Sequence, residues 1–235
     1  MLADRLVLIV TEAGPARDIL RVALELSDFQ CMEESDTQLA YAVVMAQKPD
    51  LILLDSSLAE TSDYELVRRL RREPSMALLS IVILSDRYES GGSPPGMEVG
   101  ADDYILKTMP PRELVSRLKA VLNRVDNYSS ANPLFACGLC LNPRTHAVTI
   151  NECLVPIGPT EYRLLEYFLS HQERVHSRES LLEKVWGGNA YVQLRTVDVH
   201  IRRLRKALTV DGHDRFVQTV RGAGYRFSHK HVLRR

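Results

Sequence analysis

In its first half the chain alternates short, almost wholly apolar runs with longer amphipathic stretches. The apolar runs cover residues 6–10, 51–54, 81–84 and 104–106, with residues 30–34 as a weaker candidate. Runs of this kind are typical of parallel strands that are buried on both faces. The stretches between and after them, residues 15–26, 37–47, 63–73 and 110–125, have the apolar spacing of helices. The alternation predicts an α/β domain with a doubly wound, five-stranded parallel sheet.

Polar side chains follow the predicted strands at their carboxyl ends, where ligands bind in sheets of this type. Thr11 and Glu12 follow the first strand, Asp55 the third, Ser85 the fourth and Lys107 the fifth. A carboxylate, a hydroxyl and an ammonium on one edge could form a phosphoacceptor site with Asp55 as the nucleophile. The alternative is that Asp55 merely caps the end of its strand.

A strongly basic amphipathic stretch occupies residues 195–208. Val197, Ile201, Leu204 and Leu208 fall on one helical face, and the other faces present cations to solvent. Thr196 is the predicted N-cap, and Asp198 lies in the predicted first turn, where a negative charge suits the helix dipole. This helix fits the phosphate-lined major groove of DNA, although a lone charged helix is more often a solvated face.

A glycine-turn hairpin with Arg221 at its tip is predicted for residues 217–227. Before the basic helix, residues 134–141, 147–150 and 153–157 predict a small antiparallel sheet. Two more helices follow it, with Thr160 and Ser177 as their predicted N-caps. A basic helix followed by a basic-tipped hairpin is the plan of a winged helix, in which Arg221 could reach a minor groove.

Charge divides the chain into two parts although its net charge is zero. Residues 1–126 hold 14 basic and 21 acidic residues, and the remainder holds 16 and 9, which gives balances of −7 and +7. This division predicts a domain at residues 1–125, a polar linker at 126–133 and a DNA-binding domain at 134–235. No apolar run is long enough to span a membrane, so we expect a cytoplasmic protein. Cys137 and Cys140 are expected to be buried strand residues, because nothing completes a metal site around them.

Several motifs together resemble the OmpR/PhoB family of response regulators, most closely its PhoB-like members. They are residues 51–55, 100–104 and Lys107 in the first half, and 158–162, 177–181, 186–187, 195–206 and 220–227 in the second. The resemblance implies a flavodoxin-like receiver domain and a winged helix-turn-helix domain that binds direct-repeat DNA as a homodimer. It identifies the chain as a transcription regulator and not an enzyme.

The resemblance also assigns roles to residues. Asp55 would be the phosphoacceptor, Ser85, Lys107 and Tyr104 the switch residues, and Glu12, Asp55 and Ser57 the ligands of Mg²⁺. The residues expected at the dimer face are Asp102, Asp103, Glu113, Arg117, Lys119 and Arg124. Arg203, Thr196 and Asp198 would face bases, and Arg221 would enter the minor groove. The residues expected to contact or orient on phosphates are Trp186, Arg195, His200, Arg202, Arg205, Thr219 and Tyr225.

Three departures from the family pattern concern the receiver. Thr11-Glu12 stands where the family has two acids, which should weaken Mg²⁺, a cation that requires nearly ideal geometry at about 2.1 Å. Thr108 replaces the proline after Lys107, so a different or trans loop is expected. Residues 89–96 hold three glycines and two prolines, which predicts a loop or remnant in place of the fourth helix, with Ser93 at a partner position of the dimer face. Phosphorylation at Asp55 is therefore expected to be impaired or dispensable.

Other interpretations remain at this point. A conventional regulator phosphorylated by a histidine kinase is supported by Asp55, Ser85 and Lys107. An aspartyl-phosphate hydrolase usually needs a second acid two residues after the nucleophile, where this chain has Ser57. In related activators the loop before the basic helix meets the sigma subunit of RNA polymerase through acids. Gln193 and Leu194 hold those positions here, so repression stays open beside activation.

Overall fold

The computed structural model describes residues 5–61, 64–86, 95–126, 132–187 and 193–230. The chain divides into two compact units, Met1–Asp126 and Asn127–Arg235. No helix among the described residues is long and apolar enough to cross a membrane.

The N-terminal unit is built on a five-stranded sheet in which all pairings are parallel and the order is β2-β1-β3-β4-β5. Its strands are β1 (Arg5–Val10), β2 (Phe29–Glu34), β3 (Leu51–Asp55), β4 (Ser80–Ser85) and β5 (Asp103–Leu106). Alternate residues of the central strands enter two separate apolar clusters, one on each face of the sheet. The predicted doubly wound parallel sheet is confirmed, because both faces of these strands are buried.

Helices cover the two faces of this sheet. They are α1 (Pro15–Glu25), α2 (Thr37–Gln47), α3 (Ser56–Thr61), α4 (Glu65–Arg72), α5 (Pro95–Val99) and α6 (Pro111–Asp126). The side chain of Asp36 caps α2 by accepting from the backbone N–H groups of Gln38 and Leu39. The short helix α3 was not predicted. Of the segment 89–96, where a loop or remnant was expected, residues 89–94 lie outside the described residues, and the five-residue α5 begins at Pro95.

The C-terminal unit has the winged-helix architecture that was predicted. A four-stranded antiparallel sheet comes first, then three helices and a hairpin, around a single apolar cluster. The strands are β6 (Leu134–Ala136), β7 (Leu139–Asn142), β8 (Ala147–Ile150) and β9 (Cys153–Val155). The helices are α7 (Pro159–Ser170), α8 (Arg178–Trp186) and α9 (Leu194–Ala207), and the hairpin strands are β10 (Val217–Val220) and β11 (Gly224–Phe227).

Two helix starts differ from the prediction. Gly158 and Gln193 occupy the N-cap positions of α7 and α9, so both expected caps, Thr160 and Thr196, lie inside the first turn. The hydroxyl of Thr160 accepts a hydrogen bond from Arg163 there. Ser177 does cap α8, since its hydroxyl accepts from the backbone N–H of Ser180 at 3.2 Å.

The cysteine expectation is wrong for Cys137. That residue lies in the turn between β6 and β7 with a φ of 52° and is exposed, whereas Cys140 lies on β7 and is half-buried. The two-residue turn at Cys137 and Gly138 splits the predicted strand 134–141 into β6 and β7.

Candidate phosphoacceptor site and DNA-binding surface

Asp55 is the last residue of β3, the central strand of the parallel sheet, and its carboxylate is almost completely buried. One carboxylate oxygen, Oδ2, accepts from the hydroxyl of Thr11 at 2.7 Å and lies 2.8 Å from the ammonium of Lys107. The other, Oδ1, accepts from the hydroxyl of Ser57 at 2.7 Å and from its backbone N–H at 2.9 Å. The structure thus brings Asp55, Lys107 and the end of β1 together, as the parallel sheet requires.

Lys107 has a second acidic partner that the sequence did not reveal. Its ammonium lies 2.9 Å from the carboxylate of Asp86, a largely exposed residue that follows β4. Two carboxylates therefore share one ammonium, and Lys107 balances the charge of both. Burial alone would lower the pKa of Lys107, but the hydrogen bonds to Asp55 and Asp86 outweigh it and raise that pKa above its ordinary value.

Asp55 is held as a carboxylate anion. Burial by itself would raise its pKa, but the hydrogen bonds from Lys107, Ser57 and Thr11 outweigh burial and place the pKa below its ordinary value. An ionised carboxylate is the form of Asp that attacks phosphorus.

The other predicted switch residues occupy the neighbouring strands. Ser85 is the buried last residue of β4, and its backbone carbonyl accepts from the N–H of Lys107 at 2.8 Å. Tyr104 is half-buried on β5, where it pairs with Ile83 of β4. The peptide bond between Lys107 and Thr108 is trans, like every described peptide bond of the chain.

The donor set around Asp55 fits Mg²⁺ poorly. Of the three predicted ligands, Ser57 donates to Asp55 and Glu12 is exposed. Thr11 offers this edge a neutral hydroxyl that also donates to Asp55. No group of three or more acidic, histidine or cysteine side chains that could hold a metal ion occurs in the described part of the chain. Mg²⁺ is usually bound through one or two carboxylates in nearly ideal octahedral geometry. Both oxygens of the Asp55 carboxylate are already engaged by Thr11, Lys107 and Ser57.

Three of the six predicted dimer-face residues are ion-paired within the N-terminal unit. Asp102 is buried and pairs with Arg71 of α4 at 2.5 Å, and Asp103 is buried and pairs with Arg117 of α6 at 2.7 Å. These pairs hold Asp102, Asp103 and Arg117 to their own unit in the single chain, and their place at a dimer face stays a prediction. Glu113 is exposed, the ammonium of Lys119 lies 5.8 Å from the centre of the Phe29 ring, and the side chain of Arg124 is outside the described residues.

Helix α9 presents the predicted stripe and the predicted cations. Val197, Ile201, Leu204 and Leu208 are buried in the core of the C-terminal unit. Arg195, Arg202 and Lys206 are exposed on the same helix, and Arg221 is exposed at the tip of the hairpin. Exposed cations on a helix and an adjacent wing are suited to contact DNA phosphates.

Other predicted DNA contacts are buried. Thr196 is 2% exposed, Trp186 2% and His200 0%, so their side chains do not reach the surface in this conformation. His200 was expected to contact or orient on phosphates, but its Nδ1 lies 2.7 Å from the carboxylate of Glu161 on α7. Arg203 is also engaged, with Nε 3.0 Å from the same carboxylate. Glu161 was missed because its partners lie some 40 residues away in the sequence.

The remaining predicted contacts have partners inside the C-terminal unit. Asp198 accepts from Arg178 and from the hydroxyl of Tyr225, each at 2.7 Å. Arg205 donates to the carbonyl of Val217 and to the hydroxyl of Thr219, each at 2.8 Å. Arg178 was not singled out from the sequence, where nothing links it to residues 198 and 225.

Comparisons with known proteins agree with this geometry. Residues 7–119 match the family described as "Response regulator receiver domain", and residues 151–227 match "Transcriptional regulatory protein, C terminal". Among solved structures, a mutant of RitR is similar over 95% of this chain and 98% of that chain, with a TM-score of 0.74 and 26% identity.

Curated relatives match over almost the whole length. The phosphate regulon transcriptional regulatory protein PhoB of Pseudomonas aeruginosa is 51% identical over 229 residues, which are 97% of this chain and 100% of that protein. PhoB of Escherichia coli is 46% identical over 224 residues, or 95% and 98% of the two chains. With a receiver sheet, a winged helix and relatives of this similarity, the chain belongs to the OmpR/PhoB family of two-component response regulators, which are DNA-binding regulators of transcription and not enzymes.

Proposed function

We propose that this regulator binds direct-repeat DNA as a homodimer, and that its receiver acts with phosphorylation at Asp55 impaired or dispensable. The exposed cations of α9 and the wing support the contact with DNA, and the relatives named PhoB support a role in regulating transcription. The cytoplasm is the compartment proposed for it. Activation through the sigma subunit and repression both stay open, because Gln193 and Leu194 hold the positions where related activators have acids.

The hydrogen bond from Thr11 to Asp55 is the observation that carries the proposal for the receiver. The hydroxyl of Thr11 lies 2.7 Å from the nucleophilic carboxylate, at the strand end where an acid would be needed to hold a divalent cation. Thr11, Ser57 and Lys107 occupy both oxygens of the Asp55 carboxylate, so a divalent cation has to compete with these contacts. Any Mg²⁺ is expected to bind weakly.

Conventional phosphorylation by a histidine kinase is the second candidate. The lowered pKa of Asp55 and the ammonium of Lys107 at 2.8 Å favour it. In that reaction a carboxylate oxygen of Asp55 forms a bond to phosphorus while the bond from phosphorus to the donor's leaving group breaks. Asp55 then carries the phosphoryl group as an acyl phosphate, and Lys107 would pair with the phosphoryl oxygens.

The two candidates are separated by DNA affinity with and without a phosphodonor. Affinity for a duplex selected by the protein from a random pool would be measured at fixed salt, with Mg²⁺ and acetyl phosphate present or absent. Three proteins would be compared: wild type, Asp55→Ala, and Thr11→Asp, which restores an acid beside Asp55.

Equal affinity of wild type and Asp55→Ala under all conditions is the result we expect. Thr11→Asp should respond to the donor by about tenfold, or about 1.4 kcal/mol. A tenfold response of the wild type that Asp55→Ala abolishes would overturn the proposal and establish conventional phosphorylation.

A further inference from the structure

A closed ring of hydrogen bonds joins three elements of the winged helix. Asp198 of α9 accepts, at one carboxylate oxygen, from Nε of Arg178 and from the hydroxyl of Tyr225, each at 2.7 Å. Nη2 of Arg178, the first residue of α8, donates to the same hydroxyl at 3.2 Å. Because every pair within this trio is bonded, α8, α9 and strand β11 are held at fixed distances from one another.

A second contact joins α9 to the wing two helical turns further on. Arg205 lies seven residues after Asp198 and therefore on the same helical face. Its guanidinium bonds to the carbonyl of Val217 and the hydroxyl of Thr219, both on β10, and lies 5.7 Å from the centre of the Tyr225 ring. The guanidinium of Arg178 lies 5.0 Å from the same ring. Both distances are within the range of cation–π attraction.

The backbone reinforces the same junction. The N–H of His176 donates to the carbonyl of Tyr225 at 2.8 Å, and the N–H of Tyr225 donates to the carbonyl of His176 at 2.9 Å. Gly224 permits this approach, since a β-carbon at that position would lie 2.0 Å from the carbonyl oxygen of His176. The wing is thus fixed to the segment just before α8 by main chain and side chains together.

We propose that Arg178, Asp198 and Tyr225 are positioning residues that set the angle between α9 and the wing. The inference rests on the proposed DNA binding by α9. A free carboxylate on this helix would repel phosphates, but Arg178 neutralises Asp198 in place. Fixing the angle places exposed Arg202 on the helix and exposed Arg221 on the wing for simultaneous contact, and this preorganisation lowers the entropic cost of binding.

The test uses the full chain and two fluorescent duplexes, one selected from a random pool by the wild type and one of the same composition in scrambled order. Arg178→Ala, Asp198→Ala and the double variant would be compared with Arg144→Ala. Arg144 is exposed in the turn between β7 and β8, so its removal makes the same change of charge away from the junction.

Arg178→Ala should lower the ratio of affinity for the selected duplex to affinity for the scrambled duplex about tenfold. On the scrambled duplex, the slope of log affinity against log salt should be the same for Arg178→Ala and Arg144→Ala. Because Arg178 and Asp198 act as one unit, the double variant should lose no more than the larger single loss. Tyr225→Phe, which removes only the hydroxyl, should lower the ratio of the two affinities severalfold. This variant provides the test if Arg178→Ala does not fold.

Two results would overturn the proposal. If Arg178→Ala weakens both duplexes equally and lowers the salt slope by about 0.9, then Arg178 is a phosphate contact. If the variants lower the melting temperature but leave the ratio unchanged, the ring only stabilises the fold. Failure of the wild type to enrich any duplex from the pool would instead refute the proposed function, which separates the two conclusions.

Discussion

At the level of single residues, two glycines of the wing have different requirements. Gly224 has a φ of +132° and no room for a β-carbon, whereas Gly222 has a φ of +74° with nothing within 4 Å of the added atom. Gly222→Ala should cost about 1–2 kcal/mol of unfolding free energy, the usual cost of left-handed backbone. Gly224→Ala should cost about 3 kcal/mol or more, because strain adds to the loss of hydrogen bonds with His176.

Tryptophan fluorescence during urea unfolding measures this difference, because the chain has one tryptophan, Trp186, and it is buried in the C-terminal unit. Equal midpoints for the two glycine variants would show that the wing does not need its close contact with His176.

A buried histidine predicts a pH dependence of the same unit. Burial lowers the pKa of His176 from 6.5, and the nearby charges of His171 and Arg174 add to this, although a hydrogen bond with His171 opposes it. With the folded pKa below the unfolded one, its contribution to stability is complete above pH 6.5 and is lost as the pH falls through the folded value.

Wild type should therefore lose more stability than His176→Gln between about pH 7.5 and about pH 5.5. Urea midpoints from Trp186 fluorescence at both pH values give the comparison. Parallel losses in the two proteins would mean that other histidines carry the dependence.

The site residues that the sequence predicted are those whose positions follow from topology. Asp55 ends one strand of a parallel sheet and Lys107 directly follows another, so their approach could be inferred before their distance was known. The hydrogen bond from Thr11 and the pairing of Lys107 with Asp86 depend on side-chain rotamers, which no sequence pattern encodes. The role of Glu161 was missed for a different reason, because its partners are distant in the sequence.

At the level of elements, the strands were predicted well and the helix starts less well. Strands β3 and β4 carry apolar side chains on both faces, so an uninterrupted apolar run in the sequence is enough to identify them. Helix α9 begins at Leu194, two residues before the apparent cap Thr196, and Thr196 is taken into a buried first turn. Tertiary packing, and not the local preference of threonine for the N-cap position, therefore determines where α9 begins.

The buried ion pair between α4 and the start of β5 predicts a large loss on removing one partner. Asp102 accepts from Arg71 at 2.5 Å and from the backbone N–H of Ile81 at 2.9 Å, and its side chain is fully buried. Asp102→Ala should destabilise the N-terminal unit by about 3–5 kcal/mol, since it leaves Arg71 buried without its anion.

Asp18→Ala is the matched control, because it also removes one acid from the N-terminal unit. Asp18 is exposed and lies 3.9 Å from Arg21, and an exposed pair of this kind contributes about 0–1 kcal/mol. Urea unfolding followed by circular dichroism reports the N-terminal transition, to which Trp186 is silent. A loss for Asp102→Ala no larger than the control's would mean that water replaces the carboxylate at no cost.

At the level of the whole molecule, the two units have opposite net charges. Residues 1–126 have a balance of −7 and residues 127–235 a balance of +7, and the observed units divide at the same position. The basic unit by itself therefore attracts any polyanion, whereas the full chain has no net charge to do so. We therefore expect the acidic receiver to reduce non-specific binding by the basic unit and to leave discrimination to the contacts of α9 and the wing.

The fragment 127–235 should consequently bind a random-sequence duplex more tightly than the full chain at low salt. The difference should shrink as salt rises, because the screening length falls from about 30 Å at about 0.01 M to about 10 Å at about 0.1 M salt. Fluorescence anisotropy across that range measures both proteins under matched conditions. A gap that persists unchanged at high salt would assign the receiver's effect to something other than charge, and equal affinities throughout would show that its acidic residues do not influence DNA binding.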